Sequence, residues 1–130
     1  MIGQLMRTYV ESFNSGDEDG LLGTLHPEVV HEINEGGQEV GLEAFRKFRE
    51  HMNNCYKEQL KDVVYFENGD RGAIEFICEG EYISTDGNLP AANGQKYAIR
   101  AAAFFELKEE KLSRVTSFYN LREWIAAVSQ

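Results

Sequence analysis

The stretch RGAIEFICEGEYI, residues 71–83, decides the fold. Ile74, Phe76, Cys78 and Tyr82 share one parity, and Glu75, Glu79 and Glu81 share the other. That alternation predicts a strand with one face buried and one in water. Just upstream, Asn68-Gly69 is a hairpin signal, so Leu60 to Phe66 forms the antiparallel mate. Downstream, Ser84 to Gln95 is a polar loop carrying Gly87, Pro90 and Gly94. It is long for a hairpin, and such loops are more often functional than idle. A strand from Lys96 to Lys108, a turn at Glu109-Glu110 and a strand from Lys111 to Tyr119 continue the sheet. Asn120 then caps a closing helix, Leu121 to Val128, with Leu121, Trp124, Ile125 and Val128 apolar.

Upstream the period is helical. Ile2, Leu5, Met6, Tyr9, Val10 and Phe13 line one face of a first helix. Gly16 suits the left-handed position that ends it, and Asp17 suits the next N-cap. A second short helix carries Leu21, Leu22 and Leu25 inward and ends near His26-Pro27. Val29 to Asn34 reads as a strand, Gly36-Gly37 as a turn, and the chain stays extended through Val40. A third helix runs from Leu42 to about Asn54, with Phe45, Phe48, Met52 and Cys55 as its stripe. Arg46, Lys47, Arg49 and Glu50 solvate its other side. Helices followed by a run of antiparallel strands predict an α+β architecture, in one domain over residues 1–130.

Thirteen Lys and Arg against 22 Asp and Glu give a net charge of −9. That balance repels phosphate backbones and anionic membranes, so neither nucleic acid nor membrane is an expected partner. No window approaches the roughly 20 apolar residues of a membrane span, and Met1-Ile2-Gly3-Gln4 leads directly into an amphipathic pattern rather than a leader. A cytoplasmic protein is expected. Cys55 and Cys78 have no metal-binding spacing and read as reduced core residues. No metal and no cofactor are expected. The row Glu75, Glu79 and Glu81 reads as a solvated or dimer-facing surface.

Ala101, Ala102 and Ala103 interrupt an otherwise bulky strand. Alanine has little β-propensity, so the space above them goes to a close helix or to a ligand. Several stretches carry a family resemblance. RTYVESFNSGD (residues 7–17), GLEAF (residues 41–45) and KLSRV (residues 111–115) resemble ketosteroid isomerases. HEINEGG (residues 31–37) and RVTSFYNL (residues 114–121) are more similar to the ketosteroid isomerase-related, SnoaL-like cyclase branch of the NTF2-like superfamily. The resemblance implies a cone-shaped, cystatin-like fold: a curved, mostly antiparallel sheet with N-terminal helices on its concave face. It also implies a homodimer paired through the outer sheet face.

Ketosteroid isomerases use a shuttling carboxylate with a tyrosine and a protonated Asp as oxyanion hole. The resemblance puts Tyr9 at the tyrosine position, Ile33 at the shuttling carboxylate and Ala103 at the protonated Asp. Two of three groups are replaced, so a standard steroid isomerase is not expected. Limonene epoxide hydrolases use an Asp-Arg-Asp set, but Arg100 has the wrong parity for it. His31 shares a strand face with Ile33 and can take and return a proton near neutral pH. Tyr9 can donate to an enolate oxygen. Phe13, Phe48, Met52, Phe76 and Phe105 are the expected apolar wall, with Tyr82, Ser117 and Tyr119 as polar tips. The expected function is binding of a small hydrophobic molecule, with proton transfer next to a carbonyl of the isomerase or cyclase type. The alternative is a non-catalytic ligand carrier or dimerisation module.

Overall fold

A computed structural model describes residues 1–34 and 36–130. Glu35, part of the 31–37 stretch above, lies outside the described residues. The N-terminal stripe forms α1, Ile2–Ser15, burying Ile2, Met6, Tyr9 and Val10. Gly16 ends it at φ 76°, a conformation that a Cβ penalises. Asp17 caps α2, Glu18–Leu22, by accepting from the Gly20 N–H. There follow β1 (Leu25–Glu32), β2 (Gln38–Val40), α3 (Leu42–Cys55), β3 (Tyr56–Asn68), β4 (Arg71–Tyr82), β5 (Gln95–Lys108), β6 (Lys111–Tyr119) and α4 (Leu121–Val128).

Two sequence expectations are corrected here. The chain becomes extended at Leu25 and runs through His26-Pro27 as β1, which closes at Glu32 rather than Asn34. Pro27 is accommodated because the β1–β6 register shifts between Leu25 and Val30, where the ladder is interrupted. The first long strand begins at Tyr56, directly after α3, rather than at Leu60. Asp62 adopts φ 51° and the β3–β4 register shifts between Lys61 and Val64. This bulge resets the parity, so Leu60 and Tyr65 both pack against the core.

The sheet order is β2-β1-β6-β5-β4-β3, antiparallel throughout except for the parallel pair β1 and β6. It is curved and unclosed, with the helices packed on it. Asn14 locks the end of α1 to β3, donating to the Leu60 carbonyl at 3.0 Å and accepting its N–H at 2.8 Å. Glu58 is an inward polar residue satisfied by the Tyr97 hydroxyl at 2.6 Å. Gly80 lies opposite both in register, and a Cβ there would run into the Tyr97 ring. Under α4, Trp124 meets Tyr82 at 4.9 Å and Tyr56 at 5.9 Å, ring to ring. Among the described residues no helix is long and apolar enough to cross a membrane.

Candidate active site in the concave face

The strand register lays out the concave face row by row. His31 pairs with Val115, Val115 with Phe105, and Phe105 with Gly72. The neighbouring row is Ser117, Ala103 and Ile74, and the next is Tyr119, Ala101 and Phe76. Ser117, Ala103 and Ala101 therefore make a floor of small side chains between bulkier neighbours. His31 and Phe105 stand two strands apart, about 10 Å at ordinary strand spacing. Tyr9 comes down from α1 onto Phe105, edge to face at 5.4 Å.

His31 is only 3% exposed, and its Nδ1 has no hydrogen-bond partner. Its ring lies 4.6 Å from Phe45 and 4.5 Å from Phe48, centroid to centroid. Burial among these rings, seconded by the positive charge of Arg49, lowers its pKa to about 4. The imidazole is thus neutral at physiological pH. Tyr9 is buried, and burial raises its pKa, helped by Glu18 and opposed by Arg49. It therefore keeps its proton as a donor.

Arg49 was the residue that sequence reasoning missed. The sequence assigns it to the solvated side of the third helix, yet it is 7% exposed. It sits four positions after Phe45 and three before Met52, within the apolar stripe, and that spacing was the available signal. Its Nε and Nη2 donate to the two carboxylate oxygens of Glu18 at 2.9 and 3.0 Å. Its guanidinium lies 4.4 Å over the Phe13 ring. The hydrogen bond from Arg49 holds the Glu18 carboxyl below its ordinary range. Burial works against the Arg49 charge, but the surrounding groups, Glu18 first among them, together outweigh it and the guanidinium stays protonated. Nη1 makes no hydrogen bond among the described residues. Glu18→Gln is expected to destabilise the fold by about 2 kcal/mol in urea denaturation. That is below the roughly 3–5 kcal/mol for breaking a fully buried pair, because the Glu18 side chain keeps 32% exposure.

The predicted wall divides. Phe105 contacts Tyr9, Phe48 contacts His31, and Phe13 supports Arg49. Ala103, Ser117 and Phe76 belong to the adjacent rows, and Met52 is half-buried against the core. Ile33 lies just past β1, half-buried, its N–H bonded to the Gly37 carbonyl. Tyr82 is elsewhere: it stacks on Tyr56 at 5.4 Å and donates to the Pro90 carbonyl at 2.6 Å. Ten residues along β4 separate it from Gly72, about 30 Å of strand. Tyr119 is 38% exposed, and its N–H donates to the Asn34 side chain. Asn34 therefore ties the chain just past β1 to the end of β6. Glu32 faces the other side, accepting from Thr116 at 2.6 Å. Arg100, on that same outer side, pairs with Glu75 at 2.9 Å.

The model of the SnoaL-like domain family matches residues 6–115. A candidate polyketide cyclase of Pseudomonas putida KT2440 is 43% identical over 95% of each chain, with a TM-score of 0.94. One from Silicibacter sp. TM1040 is 42% identical over 98% of this chain and 95% of its own, at 0.96. An NTF2-like protein of Burkholderia pseudomallei K96243, 18% identical over 98% and 96% of the two chains, shares the fold at 0.83. No curated protein matches the chain.

Proposed function

This chain belongs to the SnoaL-like domain family, and on that premise we propose that its concave face binds a small hydrophobic carbonyl compound and moves a proton on the adjacent carbon. One observation carries the reading. Among the described residues the His31 Nδ1 is buried with no hydrogen-bond partner, between the rings of Phe45 and Phe48. Buried polar groups are nearly always paired, and one left unpaired suits a ligand that supplies the partner. His31 takes the proton from the carbon, and Tyr9 and Arg49 donate to the oxygen that becomes an enolate. Return of the proton to another carbon is an isomerisation. Attack of the enolate on an electrophile in the same molecule is a cyclisation. The likeness to candidate polyketide cyclases supports this class.

The test is deuterium exchange from heavy water into a cyclic 1,3-diketone bound to the protein. An enzyme of this type labels the acidic carbon faster than buffer does. A carrier slows the exchange, and that result would favour the non-catalytic reading.

A homodimer through the outer sheet face is part of the same proposal. Phe66, Phe104 and Phe118 are 52%, 41% and 55% exposed there, around an open depression of about 690 Å³. Ion pairs of both signs border the strip: Arg100 with Glu75, and Arg71 and Arg114 with Glu106. Such a border complements itself in a second copy related by a two-fold axis. Phe104→Glu is expected to weaken the dimer at least about thirtyfold in sedimentation equilibrium, the effect of losing about 2 kcal/mol at a central aromatic. Unchanged self-association would remove this face as the interface.

A further inference from the structure

The long loop after β4 meets the end of α3 in a group of side chains that the carbonyl chemistry does not use. His51 and Cys55 are four residues apart on one face of α3. Asp86 reaches them from the loop, and one ligand atom from each residue lies within 4.8 Å of the others. We propose that His51, Cys55 and Asp86 bind one thiophilic divalent cation, of which zinc is the model, and that this cation fastens the loop to α3.

The donor set selects the ion. An imidazole, a thiolate and a carboxylate together suit zinc, whereas calcium and magnesium require oxygen donors throughout. With metal–ligand bonds of about 2.0–2.3 Å, tetrahedral ligand atoms stand about 3.3–3.5 Å apart. The His51–Asp86 contact of 2.7 Å has to open slightly, and the cysteine sulfur has to close in. His51 is half-exposed and its side chain is free to adjust. One thiolate and one carboxylate balance the two positive charges, and the fourth position is left to water.

The surroundings are already arranged as an outer shell. The Tyr56 hydroxyl donates to Asp86 Oδ2 at 2.6 Å, leaving Oδ1 turned to His51. The Asp86 N–H donates to the Tyr82 hydroxyl at 2.9 Å, and that hydroxyl donates to Pro90 across the same loop. Such partners orient ligands and hold affinity. Cys55 is buried and unoxidised, so its sulfur is available to a cation and shielded from solvent. The sequence expectation of no metal rested on Cys-x-x-Cys and Cys/His spacings. A helical His-x-x-x-Cys pair completed from a distant loop falls outside those spacings.

The experiment is a titration of the reduced, chelator-stripped protein with cobalt(II), followed by competition with zinc. One equivalent is expected to produce a near-ultraviolet thiolate-to-cobalt charge-transfer band, displaced by zinc. Cys55→Ser abolishes the band, while Cys78→Ser keeps it. His51→Ala, at an exposed position that leaves folding intact, weakens zinc binding by at least about tenfold, and Tyr56→Phe weakens it by about tenfold through the outer shell. No band, a band that survives Cys55→Ser, or unchanged affinity in His51→Ala each overturns the proposal and leaves the cluster as a hydrogen-bonded clasp. Deuterium exchange into the diketone does not depend on this outcome.

Discussion

Replacing His31 with leucine is expected to slow deuterium exchange into a bound 1,3-diketone by about 10²- to 10⁴-fold, the range for losing a positioned general base. Leucine fills a similar volume between Phe45 and Phe48, whose rings flank the imidazole at 4.6 and 4.5 Å. Binding of the diketone should change little, because the lost group acts on the proton. Tyr9→Phe keeps the edge contact with Phe105 and removes only the O–H, so it should cost about 10²- to 10³-fold in rate. The two losses have different origins. His31→Leu leaves no acceptor for the carbon proton, while Tyr9→Phe leaves Arg49 alone facing the developing oxyanion. If both variants exchange at the wild-type rate, the site is not catalytic.

A second large effect concerns stability against pH. The folded protein lowers the His31 pKa from 6.5 to about 4, first by burial and then by the charge of Arg49. Between those values the unfolded chain takes up a proton that the folded chain refuses. The stabilisation from keeping His31 neutral is therefore complete above pH 6.5 and is lost as the pH falls toward 4. The amount is about 3 kcal/mol, from a shift of this size at 1.36 kcal/mol per unit. His31→Leu should flatten the urea-denaturation profile across that window. The carboxylates Glu18 and Glu106, held low by hydrogen bonds from Arg49 and Arg114, lose their stabilisation at lower pH in both proteins. A variant as steep as wild type between pH 6.5 and 4 would show that His31 protonates freely in the folded state.

Much of the fold was legible because local chemistry and tertiary structure agree. Residues 71–83 alternate in the sequence and in the register of β4. Asn120 caps α4 by accepting from the Glu123 N–H at 3.1 Å, as its position before Leu121 suggested. The elements that resisted reading are those where a distant partner overrides the local signal. Pro27 reads as a stop, but a register shift admits it into β1. Glu58 breaks the apolar parity of β3, but Tyr97 satisfies it. The parallel pairing of β1 with β6 leaves no local mark.

The site divides on the same principle. The inward placement of His31 and Tyr9 was accessible from strand parity and helical spacing. That of Arg49 was not, because a charge in a helix reads as solvated until its partner is known, and Glu18 lies on another helix. The hydroxyl of Tyr82 was expected beside a ligand, but Pro90 takes it. Only the folded loop shows that.

The central claim is that His31 accepts a proton through Nδ1 at the ligand site. Nitrogen-15 NMR of histidine-labelled protein, with a planar phenol as a mimic of the enolate, tests it most directly. The account predicts a neutral His31 ring at pH 7 in the free protein, with Nδ1 shifting strongly when the phenol binds. A His31 signal that the phenol leaves unmoved while it binds would contradict the account.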